Sequence, residues 1–349
     1  MASVHVSLPP NPLGVPKAQT SLGTLRLPDW NREEWTRRAL SLGFPNYRDL
    51  DAWGEFRDGS VRLAREFLPL TTRQLLGDFF SAAGAPALVL ENLPVDPALP
   101  PIPSDGVRPA GKQSVSEAAI TGLICLWGEV LSFSNEKDGC PVHQITPIPG
   151  METLQSNAGR VGFGFHSDNA FLPSWFRQQG ILLYGLLNKD TSTTMVTAEQ
   201  ILEAAPADLA ATLAQPIFRH ACPASYSFAG SVVRSAPCPI LYRDERGLAR
   251  VSAASSSIEP MTREASGALD RFRALLDNLE PARVVVGPGT ALLFKDDRVL
   301  HGRDQVRGPR WLQRAYFTDS LALLREVTGS DARAFAFDAR TLLSPRDRL

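Results

Sequence analysis

Cysteine is scarce in this chain: there are four in 349 residues, and none stands in a C-x-x-C pair. That spacing excludes a disulfide framework and a zinc knuckle, and it fits reduced, mostly buried thiols in a cytoplasmic protein. No apolar run approaches the ~20 residues that a bilayer-spanning helix needs. The opening stretch, MASVHVSLPPNPLGVPKAQT, has neither the basic start nor the apolar centre of a secretory signal. Residues 1–25 read as a flexible, proline-rich lead-in to a single domain over 26–349. Excess charge of either sign is also lacking, with a formal net charge of −1 and no long basic run. Capture of nucleic acid or of an anionic membrane surface is thereby set aside. There is no internal repeat. Histidine is rare as well, with five in the whole chain.

Proline and glycine are plentiful, 28 and 26, and they are spread along the sequence. Such punctuation favours many short elements joined by turns. Capping-box patterns at Thr71–Gln74, Ser114–Glu117 and Thr197–Gln200 predict three helix starts, and a fourth helix is predicted from about Thr262 to Leu279. The apolar runs at Ala87–Leu93, Ile181–Leu187, Thr193–Thr197, Ala282–Val286, Thr290–Phe294 and Arg314–Thr318 read as strands. The segment Pro100–Lys112 is expected to be a mobile surface loop. The fold class is mixed α and β: an antiparallel jelly roll buttressed by helices, with the helical part towards the N-terminus.

Two histidines keep unusual company. GFGFHSDNAFL places His166 and Asp168 two residues apart, and on a strand such residues share a face. FKDDRVLHGR sets His301 at the end of an apolar run. Two imidazoles and one carboxylate on one face of an octahedron form the facial triad of non-haem iron oxygenases, and they leave positions for a bidentate keto acid and dioxygen. A zinc site with the same ligands is the competing reading, and the H-x-D pair by itself does not decide between them.

GFHSDNAF, followed by VLHGRDQV and RWLQR, resembles the clavaminate synthase-like branch of the iron(II)/2-oxoglutarate dioxygenases. That branch includes amino-acid hydroxylases and is related to taurine dioxygenase. ALVLENLPVD, LWGEV, HQITPIPG, LQSN and VGPGTALLFKDDRVLHGR extend the likeness over roughly residues 60 to 320. The resemblance implies a double-stranded β-helix, with Fe(II) on His166, Asp168 and His301, and with 2-oxoglutarate and dioxygen as co-substrates. It implies that Arg310, the first Arg of the RW-x-x-R motif, holds the far carboxylate of 2-oxoglutarate as a guanidinium fork. Arg314 would lie on the same face and reach the co-substrate or the substrate. Thr194, with Thr193 a close second, would support the same carboxylate. Gln144, Ser156 and Asn157 fall where family members contact the substrate. The loop between His301 and Arg310 is shorter than the family pattern, so the anchoring duty could pass to Arg314.

In arginine hydroxylases of this branch, acidic residues ahead of the fourth helix pair with the guanidinium. Here that region reads ARVSAASSSIEP. A cationic side chain buried against Ser and Ala would be uncompensated, which points to a small-molecule substrate with a neutral side chain. The retained Asp168 favours hydroxylation over halogenation, while desaturation, cyclisation and epoxidation remain open. A non-catalytic jelly-roll protein that binds a metabolite is the rival from another class.

Overall fold

The computed structural model describes residues 23–223, 226, 233–254 and 257–343. Most of the expected lead-in lies outside these. Its last residues instead join Arg26 in the strand Gly23–Arg26, which pairs in parallel with Ala87–Glu91.

The architecture is mixed α and β, built on two sheets. The larger has eight strands. It runs Gly23–Arg26, Ala87–Glu91, Ala291–Lys295, Gly180–Leu187, Trp311–Thr318, Glu129–Phe133 and Ala336–Phe337, with His143–Ile145 also paired to Trp311–Thr318. The smaller runs Ala282–Val285, Ser192–Thr197, Val299–Arg303 and Phe163–His166, all antiparallel. All six predicted strands are present within a residue or two, apart from Trp311–Thr318, which begins three residues earlier. Leu182, Phe294, Trp311 and Tyr316 belong to the main core, which the N-terminal helices extend through Trp35, Phe56 and Phe79. A second core, with Val196, Leu300, Phe218 and Phe272, sits between the smaller sheet and the helices Ala198–Ala204, Ala207–Leu213 and Arg263–Asp277.

Eight α-helices occur among the described residues, against four read from the sequence. Asp29–Ala39 was not legible because only Trp35 and Ala39 of it are buried, and Leu50–Phe67 because Gly54 and Gly59 interrupt the apolar stripe of Trp53, Phe56, Leu63 and Phe67. Thr197 and Gln200 do form a reciprocal capping box, and Thr262 caps the last predicted helix. The other two boxes are absent. The first helix begins at Leu70 behind Pro69, without a side-chain cap. At the second, Ser114 Oγ instead accepts from Phe44 N at 2.8 Å, and Glu117 turns inward to Lys112 Nζ at 2.7 Å. Tertiary partners have outcompeted the local cap. The helix Val115–Cys125 packs closely on Leu50–Phe67 at Gly122, where a Cβ would stand 2.6 Å from Ser60 O.

The segment Pro100–Lys112 is pinned rather than free. Lys112 is buried against Asp96 (3.0 Å) and Glu117, Arg108 bonds Glu117 at 2.9 Å, and Pro103 O accepts from Thr146 Oγ1 at 2.8 Å. No described helix is long and apolar enough to cross a membrane.

Candidate metal and co-substrate site

His166 ends the strand Phe163–His166, and His301 is the middle residue of Val299–Arg303. The two are direct cross-strand partners, so their rings meet with centroids 4.1 Å apart. The strand stops at His166, so Asp168 is delivered by the following turn rather than by strand alternation. Asn169, at φ +55°, reverses the chain there. Gln178 fastens the turn: its Nε2 donates to Asp168 O at 2.9 Å and to Asp296 Oδ2 at 2.7 Å, and its Oε1 accepts from Asn169 Nδ2 at 2.8 Å.

One potential ligand atom from each of His166, Asp168 and His301 lies within 4.8 Å of the others. His166 Nδ1 sits 2.9 Å from Gly164 O and therefore carries the proton, which leaves the Nε2 lone pair free. His301 Nδ1 faces Asp296 Oδ1 at 3.6 Å, beyond hydrogen-bond distance, and is buried without a hydrogen-bond partner among the described residues. Both Nε2 atoms point to Asp168 Oδ1, at 3.4 and 3.9 Å. The other oxygen, Oδ2, accepts from Arg314 Nη1 at 2.7 Å and Tyr316 OH at 3.1 Å. The carboxylate thus presents one oxygen to the imidazoles and has the other neutralised.

Electrostatics favour the same set. Burial opposes a charge on Asp168, but the Arg314 guanidinium beside it outweighs burial and holds this carboxyl well below the usual range. Burial, with His166 beside it, depresses His301 to about 3 and keeps the ring neutral. Burial and the Asp168 charge push Asp296 well above an ordinary carboxyl. Two imidazoles and one carboxylate suit a divalent ion of borderline hardness.

Arg310 lies on the same face of Trp311–Thr318 as Arg314, one step before the strand begins. It is buried, and its Nε and Nη1 have no hydrogen-bond partner. Burial and the charge of Arg303 lower it to about 9, and it makes no ion pair among the described residues. An orphaned buried guanidinium is costly and calls for an anion.

Register sets the faces on which two of the expected residues lie. Thr194 pairs with Gly302, so its hydroxyl lies on the side opposite His301, 2.9 Å from where a Cβ on Gly302 would be. Thr193 pairs with Arg303 and shares the face of His301. Gln144 pairs with Gln313, and its Oε1 accepts from Trp311 Nε1 at 2.8 Å and Gln313 Nε2 at 3.3 Å. It therefore points away from the triad, whereas His143 points toward it and accepts at Nδ1 from Arg314 Nη2 at 2.8 Å. Ser156 and Asn157 are half-buried in a loop, and Ser156 O accepts from Arg303 Nη1 at 3.4 Å. Ala254 bridges to His166. Residues 255 and 256 of the serine-rich stretch lie outside the described set, and Glu259 pairs with Arg234 at 2.6 Å.

No protein-family model matches the sequence. L-asparagine oxygenase from Streptomyces coelicolor is 30% identical over 283 residues, covering 78% of this chain and 83% of that protein. Enduracididine beta-hydroxylase from Streptomyces hygroscopicus is 26% identical over 304 residues, 76% of this chain and 86% of the relative. This chain belongs to the clavaminate synthase-like iron(II)/2-oxoglutarate-dependent oxygenases. A crystal structure of asparagine oxygenase with Fe(II), 2S,3S-3-hydroxyasparagine and succinate superimposes with a TM-score of 0.78 at 25% identity, over 90% of this chain and 99% of that one. The non-heme iron oxygenase OrfP with Fe and alpha-ketoglutaric acid gives 0.74 at 22% identity over 90% and 99%, a likeness that bears on fold alone.

Around its triad this oxygenase carries four groups that sequence patterns did not single out. Glu136 accepts from Arg314 Nη2 at 2.7 Å and from Tyr316 OH at 3.2 Å. His143 accepts from Arg314, and Asp296 lies 3.6 Å from His301 Nδ1. Tyr316 bridges the two carboxylates. Tyr316 could have been found, since it lies two residues after Arg314 on one strand. Glu136 carries no local signal and is brought in by the pairing of Glu129–Phe133 with Trp311–Thr318.

Proposed function

We propose that this protein is an iron(II)/2-oxoglutarate-dependent dioxygenase that hydroxylates an unactivated C–H bond of a free amino acid, or of an amino-acid-derived precursor, with a neutral side chain. The single observation that carries this reading is the convergence of both Nε2 atoms on Asp168 Oδ1 while Arg314 and Tyr316 hold Oδ2. The two sheets are read as the halves of a double-stranded β-helix with the site between them.

His166, Asp168 and His301 would hold the iron, and Arg310 would hold the far carboxylate of 2-oxoglutarate, with Thr193 beside it. When bound, iron and 2-oxoglutarate supply the oxidant: dioxygen is divided between succinate, formed with loss of carbon dioxide, and the hydroxyl group placed on the substrate carbon. The chain does the rest. Arg314 and Tyr316 fix the Asp168 rotamer, and the buried walls exclude water. Arg314 and Glu136 form a buried pair of opposite charges beside the triad, complementary to the carboxylate and ammonium of an amino acid. Ser156 and Asn157 would contribute polar contacts from the loop. Ala253 and Ala254, next to His166, offer no counter-charge, which supports a neutral side chain; the L-asparagine oxygenase relative is in keeping with it.

The deciding experiment is mass spectrometry of an amino-acid panel incubated with enzyme, Fe(II), ascorbate and 2-oxoglutarate. A hydroxylated product with equimolar succinate is expected. Activity that needs zinc and no dioxygen, or the absence of both turnover and iron binding across the panel, would overturn the reading.

A further inference from the structure

Arg303 lies two residues after His301, on the same face of its strand and opposite Thr193. It is buried, and no carboxylate pairs with it among the described residues. Its Nη2 donates to Val161 O at 2.6 Å and its Nη1 to Ser156 O at 3.4 Å, while its Nε is buried without a partner. Arg310 is close enough for the charge of Arg303 to act on it, and Arg310 is orphaned too. Two buried guanidiniums whose charges act on one another repel, and carbonyl dipoles do not cancel a full charge. One carboxylate placed between them would relieve both.

The carbonyls that Arg303 holds belong to a loop with its own internal bonding. Ile148 N donates to Ala158 O at 2.8 Å, and Arg160 N to Glu152 O at 2.8 Å. The loop is also tied to the connection that runs from Arg303 to Arg310, through Val306 N to Arg160 O at 2.8 Å and Arg160 Nη1 to Gly308 O at 3.4 Å. Arg303 therefore touches the loop carbonyls and also shares the face of its strand with His301.

We propose that Arg303 is a second positioning residue for the far carboxylate of 2-oxoglutarate, and that it couples occupancy of that pocket to the order of the loop formed by residues 148–161. The inference rests on the co-substrate assignment made above. Once the carboxylate arrives, the remaining Arg303 hydrogens are satisfied, the guanidinium plane is fixed, and the two loop carbonyls are fixed with it. A simple staple for the loop would predict no link to the co-substrate.

The test is an anaerobic titration of 2-oxoglutarate into the Fe(II)-loaded protein, read by the visible charge-transfer absorption, together with hydrogen exchange of residues 148–161. In the parent protein, 2-oxoglutarate should bind and slow exchange in the loop. Arg303→Met should raise Kd by about tenfold or more, the loss of a charge-assisted hydrogen bond. Its loop should stay unprotected even at saturation. Arg303→Lys, which keeps the charge but not the planar fork, should recover part of the affinity and little of the loop response, and it serves as the test should the Met variant not fold. An unchanged Kd in both variants, or loop exchange in the parent that ignores 2-oxoglutarate, overturns the inference. Absence of any charge-transfer band in the parent would instead overturn the co-substrate assignment.

Discussion

Replacing Arg310 by Met removes a buried cation but keeps an unbranched apolar stem of similar reach. In the ligand-free protein the guanidinium Nε and Nη1 have no partner, and burial weighs on the charge. Desolvating an unpaired ion costs several kcal/mol, part of which relaxation recovers. A net gain of about 2 kcal/mol on removal, at about 2–4 °C per kcal/mol in a chain somewhat smaller than this one, corresponds to a rise of a few degrees in melting temperature. With co-substrate the sign should reverse. A ligand at one hundred times its Kd stabilises the parent by about 2.7 kcal/mol, and the variant, without its fork, should forfeit nearly all of that. The two melting curves should therefore exchange order: the variant melts higher without 2-oxoglutarate, and the parent melts higher with Fe(II) and saturating 2-oxoglutarate. Differential scanning fluorimetry under anaerobic conditions reads both states. A ligand-free variant less stable than the parent that still shifts with 2-oxoglutarate would refute the argument that Arg310 is a cation awaiting its anion.

Thr193→Val should raise KM for 2-oxoglutarate several-fold, in line with loss of one hydrogen bond worth about 1 kcal/mol, whereas Thr194→Val should leave it unchanged; steady-state succinate release separates the two. Tyr316→Phe removes the one hydroxyl hydrogen that Asp168 and Glu136, at 3.1 and 3.2 Å, share, and it should lower turnover by about tenfold with little change in KM for 2-oxoglutarate. Iron titration of the same variant should show a weakened but intact site, since Arg314 still holds Oδ2. Lys112→Met leaves Asp96 and Glu117 buried around a lost ammonium, and should cost about 3–5 kcal/mol in urea unfolding.

The strands were legible because short apolar runs between Gly, Pro and Asp have few other uses, and the helices at Thr197 and Thr262 because their caps are satisfied locally. Ser114 and Glu117 show where that logic ends: a side chain able to cap is equally able to bond Phe44 N or Lys112, and only packing decides. The long helix Leu50–Phe67 escaped because its glycines hide a stripe that the opposing helix completes.

The triad was expected from the resemblance carried by GFHSDNAF and VLHGRDQV, with Arg310 one short loop later, but the pairing of His166 with His301 and the turn that delivers Asp168 belong to the tertiary structure. So does the face that each neighbour takes. Side chains on a strand alternate with period two, so one step of register turns a residue from the site to the far side, and local sequence does not give the phase. That step puts Thr193 rather than Thr194 on the face of His301, and His143 rather than Gln144 on the face of Arg314. It also gives Arg314 to Asp168, Glu136 and His143, partners that come from three separate stretches of chain and meet only when the larger sheet closes over the smaller one's histidines.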